Sequence, residues 1–217
     1  MSKFYSRFYD FYAHPDIIGR LAAGAKGYGY SGIVVTNLNI NEEIILPADF
    51  SIYKGVEIQA KPSRIREEIR KYRDSNLISI VKGGEEVINR AAVESEGLDI
   101  LLQPSEFNNV LAKAARDNSI AIGFNLGLLI RFRGDARVRE LKNMRTIIKH
   151  ARKYELRMIL TSDSASVYDL RSPREMAALS SLFGMTQSEA IEAMSATPME
   201  ILGRKNSNYI KEGIEII

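Results

Sequence analysis

The sequence has no cysteine and no tryptophan, and only two histidines, His14 and His150. Each absence removes a class of chemistry. Without cysteine there is no disulfide, thiolate nucleophile, zinc ribbon or iron–sulfur cluster. Two imidazoles are too few for the histidine-rich metal centre of many hydrolases. No window comes near 18 consecutive apolar residues, so no membrane-spanning helix is expected. The opening MSKFYSRFYDF lacks the apolar stretch of a secretory signal. A cytoplasmic protein without a membrane partner is therefore the expectation. There is no Walker-type lysine motif, no GxSxG elbow and no HExxH. The glycine-rich run over 24–32 goes from a helical pattern into a strand. Phosphate loops go from strand to helix, so it reads as a helix end and a turn.

What remains is an ordinary globular chain of 217 residues, 45% hydrophobic and 26% charged. It is long enough to bury a core without staples. No linker, low-complexity stretch or short-period repeat divides it, so one domain over 1–217 is expected. Apolar, β-rich runs occupy 4–12, 32–37, 52–59, 77–82, 98–103, 119–125 and 156–162, with a last one at 213–217. Their continuous rather than alternating apolarity suits parallel strands covered on both faces. Helical periodicity fills 15–28, 63–74, 85–95, 105–118 and 135–154. The connection over 38–51 shows no helix. Three short helices after the seventh run open on Ser172…Glu175, Thr186…Glu189 and Thr197…Glu200, each spaced as a capping box. Strand and helix thus alternate eight times, which predicts an α/β fold, a closed TIM-like (β/α)8 barrel.

Chemistry in such a barrel sits at the C-terminal ends of the strands. Those ends carry Asp10, His14, Asn37, Glu57, Gln59, Lys82, Gln103, Asn125, Ser162 and Asp163. Asp10, His14, Glu57 and Asp163 are the types that hold a divalent ion. One histidine with scattered carboxylates is a poor set, and no metal or catalytic residue is assigned. Phe4, Tyr5, Phe8, Tyr9, Phe11 and Tyr12, interleaved with Lys3 and Arg7, could stack on unpaired bases. Packing as the first barrel strand is the favoured reading of that cluster.

Charge is more informative. Lys+Arg number 30 against 27 Asp+Glu, and 18 of the 30 are arginine. Ten of them fall between Arg131 and Arg157, opposed there only by Asp135, Glu140 and Glu155. Lys142, Arg145, Lys149 and Arg152 share an arc of about 80° on the long helix at 100° per residue. Arg66, Arg70 and Arg73 repeat the pattern on a shorter one. A basic stripe can track phosphates or simply be solvated, and charge alone does not decide.

The run from Thr161 to Arg174, TSDSASVYDLRSPR, resembles the TSDA…DLRSPR segment of the archaeal ribonuclease P protein component 3 family. The segments FYDFY from Phe8, GFNL from Gly123 and AMSATPMEIL from Ala193 fit the same family. The resemblance covers essentially the whole chain. It implies a barrel related to the PHP phosphoesterases, which carry a His-x-His pair after the first strand. Here the corresponding residues are Tyr12-Ala13-His14, so only the second histidine is kept. The implied role is a non-catalytic, RNA-binding subunit of a ribonucleoprotein endonuclease that removes the 5′ leader from precursor tRNA. The ribonuclease P RNA would perform the cleavage with its own Mg²⁺, assisted by protein component 2 and other subunits, and this chain would bind no cofactor. The expected RNA contacts are Lys142, Arg145, Lys149 and Arg152, then Arg66, Arg70 and Arg73. Arg171 and Arg174 join them because they flank a helix start, where phosphate is welcome. The alternative, a stand-alone metal-dependent PHP-like phosphoesterase, is opposed by the histidine count.

Overall fold

The computed structural model describes residues 7–15, 17–36, 46–205, 209–211 and 214–215. Seven parallel strands form one sheet in sequential order: β1 (Phe8–Ala13), β2 (Tyr30–Thr36), β3 (Ser51–Ile58), β4 (Ile78–Lys82), β5 (Ile100–Leu102), β6 (Ala121–Asn125) and β7 (Met158–Thr161). Helices cover the outside: α1 (Ile18–Gly27), α2 (Pro62–Tyr72), α3 (Glu86–Val93), α4 (Asn109–Asp117) and, after β6, α5 (Leu126–Arg131) and α6 (Gly134–Tyr154). After β7 come α7 (Pro173–Ser180), a 3₁₀ turn at Ser181–Phe183, α8 (Gln187–Met194) and α9 (Ala196–Lys205). The TIM-like class is as expected. Among the described residues the sheet has seven strands rather than eight: from the last apolar run, β9 (Ile214–Glu215) pairs antiparallel with β8 (Tyr209–Lys211) in a separate hairpin.

The period of two along each strand sorts side chains into two cores. Tyr9, Phe11, Val34, Ile78, Ile80, Ile100, Leu102 and Ile159 fill the barrel interior. Their neighbours Ile58, Val81, Leu101, Ile122, Phe124 and Leu160 face the helices. The interior is tight. A Cβ on Gly123 would stand 2.7 Å from Leu102 Cδ1. α9 plugs the N-terminal end with the fully buried Ile201. It is tied there by Lys205 Nζ, 3.0 Å from Asp99 Oδ2, and that carboxylate also accepts from Ser79 N at 2.8 Å.

Closure between β1 and β7 is incomplete as a ladder. Ala13 and Ser164 form one isolated bridge, with His14 N donating to Ser164 O at 3.0 Å. The buried Asp10 carboxylate supplies most of the missing bonding. It accepts from Thr161 Oγ1 at 2.5 Å, from Tyr12 N at 3.3 Å, from Ser162 N at 3.1 Å and from Ser162 Oγ. Burial pushes the Asp10 carboxyl up, and the surrounding hydroxyl and amide donors oppose that.

Three local expectations need correction. Ser172 and Thr186 make full capping boxes with Glu175 and Glu189, but Thr197 does not cap. It lies buried inside α9, which starts directly after Ser195. α5 escaped the periodicity reading because six residues are less than two helical turns. α4 starts only at Asn109, where Asn108 Oδ1 accepts from Val110 N and Leu111 N. The expected start of the first strand, with Phe4 and Tyr5, and most of the 38–51 connection lie outside the described residues. Of the described N-terminal aromatics, Tyr9, Phe11 and Tyr12 are buried, so packing is their structural role.

Candidate nucleic-acid interface

At the C-terminal ends of the strands, polar side chains close on one another. Glu57 accepts from Tyr12 Oη and from Gln59 Nε2, and Lys82 Nζ lies 3.9 Å from it. Burial pushes the Glu57 carboxyl up, but the Tyr12 and Gln59 hydrogen bonds outweigh it and hold the carboxyl below its ordinary range. Burial, then Glu57, pushes the Tyr12 phenol far up. Asp163 accepts from Arg131 and, at 2.9 Å, from Asn125 Nδ2, with His14 Nδ1 at 3.6 Å. Gln103 bridges Asn125 N at 2.8 Å and Glu140 Oε1 at 2.6 Å. Asp10 and Ser162 point into the seam, and Asn37 lies outside the described residues.

Arg131 is the residue that sequence reasoning passed over here. The short helix α5 turns its guanidinium back over Gly127, where a Cβ would meet Ser162 O at 2.4 Å and Arg131 Nη1 at 2.8 Å. Arg131 thus pairs with Asp163 through Oδ2, while the buried Asp163 Oδ1 has no hydrogen-bond partner among the described residues. Among the described residues no three His, Asp or Glu stand together as metal ligands.

The basic stripes divide more sharply than their spacing suggested. On α6, Lys142 and Lys149 are exposed and have no ion-pair partner among the described residues. Arg145 Nη2 donates to Leu182 O at 2.9 Å, which leaves its charge unneutralised. Arg152 is committed elsewhere. It forks onto Glu189 at 2.7 and 2.8 Å and onto Gly184 O at 2.6 Å. Exposed Arg139, one turn before Lys142, extends the row and was not among the expected contacts.

On α2, Arg66 pairs with Glu94, and Arg73 with Glu96 at 2.8 Å, leaving Arg70 exposed. The two stripes do not meet, because α3 and α4 pack between α2 and α6 around the ring. At α7, the Glu175 carboxylate already accepts from Ser172 N at 2.7 Å and from Ser172 Oγ at 2.9 Å. The helix start that was expected to welcome phosphate is therefore filled from within. Arg174 stands there as an exposed cation, and half-buried Arg171 donates to Tyr168 O and Leu170 O.

The Arg152 fork has a measurable signature. Glu189 is held at about 2 by Arg152 first, against burial, with help from the Thr186 backbone and hydroxyl. A carboxyl depressed in the folded state stabilises above its ordinary value and loses that contribution as pH falls towards 2. Going from pH 5 to pH 3 should therefore cost the wild type up to about 1 kcal/mol more than Glu189→Gln, after allowing for the half-exposed Arg152. Urea midpoints at the two pH values measure this, and equal losses would refute it.

With the geometry described, comparison with known proteins is decisive. The family model described as RNase P subunit p30 matches residues 7–208. The chain belongs to the RNase P subunit p30 family. Ribonuclease P protein component 3 of Methanococcoides burtonii is 42% identical, over 96% of this chain and 93% of that protein. The protein of the same name from Methanosarcina mazei is 38% identical, over 97% and 95%. A chain in the cryo-EM structure of archaeal ribonuclease P with mature tRNA shares the fold, with a TM-score of 0.78 at 23% identity over 95% of this chain and 97% of that one. The p30 family member described here thus keeps the barrel of its relatives, with a mouth closed by internal ion pairs.

Proposed function

We propose that this p30-family chain serves ribonuclease P, the endoribonuclease that removes the 5′ leader of precursor tRNA, as a non-catalytic RNA-binding scaffold. One observation carries the reading: Lys142 and Lys149 stand exposed on a helix 21 residues long, without counter-ions among the described residues. Flanked by Arg139 and Arg145, they offer a row of charge with roughly one cation per turn to a phosphate backbone. Arg70 and Arg174 are secondary contacts, as are Arg171, Arg66 and Arg73. The ion-paired Arg152, Arg66 and Arg73 would have to exchange a carboxylate for a phosphate. Cleavage belongs to the RNA of the complex and the Mg²⁺ it holds. The protein partners are other ribonuclease P subunits, component 2 as the direct one, in the cytoplasm. In support, several mouth residues bond one another: Arg131 with Asp163, and Tyr12 and Gln59 with Glu57.

Reconstitution tests this. The purified chain alone should cleave neither precursor tRNA nor simple phosphodiesters. Added to the ribonuclease P RNA with component 2, it should raise the cleavage rate or lower the Mg²⁺ requirement. Metal-dependent turnover by the isolated chain that is lost in His14→Ala would overturn the reading.

A further inference from the structure

In the connection between β7 and α7, beside the barrel mouth, Tyr168 is 86% exposed, while the next most exposed large apolar residue among those described, Val110, is at 60%. Its ring has no aromatic, cation–π or hydrogen-bonding partner among the described residues. Leaving such a ring in water brings the fold nothing.

We propose that Tyr168 is a stacking platform for an unpaired RNA base, with the Arg171 and Arg174 guanidiniums taking the neighbouring phosphates. The proposal rests on the RNA-binding role given above and adds to it a second contact, for single-stranded rather than helical RNA.

Three observations carry it. First, the loop is rigid. Asp169 Oδ2 accepts from Ala165 N at 3.2 Å and from Ser166 N and Oγ, each at 2.9 Å. Leu170 is buried, and Tyr30 Oη donates to Arg171 O at 2.9 Å. Val167 is pressed against α1, where a Cβ on Gly24 would meet Val167 Cγ1 at 3.2 Å. The backbone that carries the ring is therefore fixed before any ligand arrives, and little backbone ordering entropy is lost on binding.

Second, neither arginine is held in an ion pair among the described residues. Asp163 pairs with Arg131, while Asp169 and Glu175 keep their charges but aim their oxygens at the loop amides and at the helix cap. Arg171 donates only to carbonyl groups, which leave its charge intact, and Arg174 has no ion-pair partner among the described residues.

Third, the surroundings are polar. Partly exposed Ser166 and Asp169 lie beside Tyr168 in the loop, while Val167 is turned onto α1 and Leu170 is buried, whereas an aromatic anchor for a protein partner sits at the centre of an apolar patch. A lone ring beside cations matches the π-face of a base and its flanking phosphates.

The test uses the full chain and two fluorescent probes, a ten-nucleotide oligoadenylate and a ten-base-pair RNA duplex, read by anisotropy. Tyr168→Ala should weaken oligoadenylate binding about 5- to 100-fold, the span of a lost base–aromatic stack. Duplex affinity and both salt slopes should stay unchanged. Tyr168→Phe keeps the stack and should bind within about twofold of the wild type. An exposed ring is not part of the core, so thermal midpoints of both variants should match the wild type. Wild-type affinity of Tyr168→Ala for oligoadenylate, or an equal loss on both probes, would overturn the proposal, as would loss of a partner protein with oligoadenylate binding intact. Wild-type protein that binds the duplex but not oligoadenylate overturns this proposal alone. Protein that binds neither overturns the RNA-binding role with it.

Discussion

Replacing Lys142, Arg145 and Lys149 together with glutamine should flatten the salt dependence of RNA binding by about 2 to 3 units in the slope of log K against log salt. Each phosphate contact contributes about 0.7 to 0.9 to that slope, and the loss corresponds to an affinity drop on the order of 100-fold near 0.15 M salt. Glutamine has almost the helix propensity of lysine and arginine. The three side chains lie outside the buried face of Met144, Ile147, Ile148 and Ala151, so the fold should be retained. Arg152→Gln should behave differently. It breaks the fork to Glu189 and the bond to Gly184 O, so its main effect should be on stability. The comparison is Arg20, Lys54 and Lys113 changed to glutamine, exposed cations away from the stripe with no ion-pair partner among the described residues. If the stripe variant keeps wild-type affinity and slope, the α6 face is merely solvated, and binding must be sought at Arg70 or around Arg174.

The difference between Lys149 and Arg152 shows where a sequence stops being informative. Both sit on one helical arc, and periodicity places them equally well. What separates them is Glu189, 37 positions further along the chain and brought alongside by the packing of α8. The same holds on α2, where Glu94 and Glu96 come from the far end of α3 to take Arg66 and Arg73. Helix faces and strand alternation are local, so the barrel class, the seven strands of the described sheet and two of the three capping boxes were readable. Counter-ion choice is tertiary, and so is the fate of the last apolar run. GIEII has strand composition, but composition does not say which edge it joins, and it joins a hairpin instead of the sheet. Tyr168 illustrates the opposite blindness. The aromatic cluster at the N-terminus reads as strand packing, as Tyr9, Phe11 and Tyr12 show, while a single tyrosine in the β7–α7 loop carries no periodic signal. A hint was present in its neighbours: Ser and Asp residues that turn their own backbone make a loop stiff enough to hold a ring in solvent.

Asp10→Ala should be among the most destabilising single changes in the molecule, with a loss of about 3 to 5 kcal/mol. The β1–β7 seam has one isolated bridge where the other seams have ladders. The Asp10 carboxylate bonds both strand ends at once, through Tyr12 N on one side and Thr161 Oγ1, Ser162 N and Ser162 Oγ on the other. Thr161 Oγ1 and Ser162 Oγ can fall back on Tyr12 O and Ser164 Oγ, but alanine leaves the buried Tyr12 and Ser162 N–H groups without that acceptor, and each unsatisfied buried group costs about 1 to 3 kcal/mol before relaxation. For a chain of this length the thermal midpoint should fall by roughly 10 °C. Asp10→Asn keeps one carbonyl oxygen but turns an amide donor towards hydroxyls that already donate, so it should fall between alanine and the wild type. Glu57→Gln and Asp163→Asn, whose partners Lys82, His14 and Arg131 are about half exposed, can be rehydrated and should cost less. On the proposed reading, in which the seam positions the helices that carry the RNA contacts and the mouth performs no chemistry, cleavage by the reconstituted complex should follow stability in all four variants. A hundredfold loss of rate at an unchanged midpoint, in any of them, would mean that the closed end of this barrel is a working site.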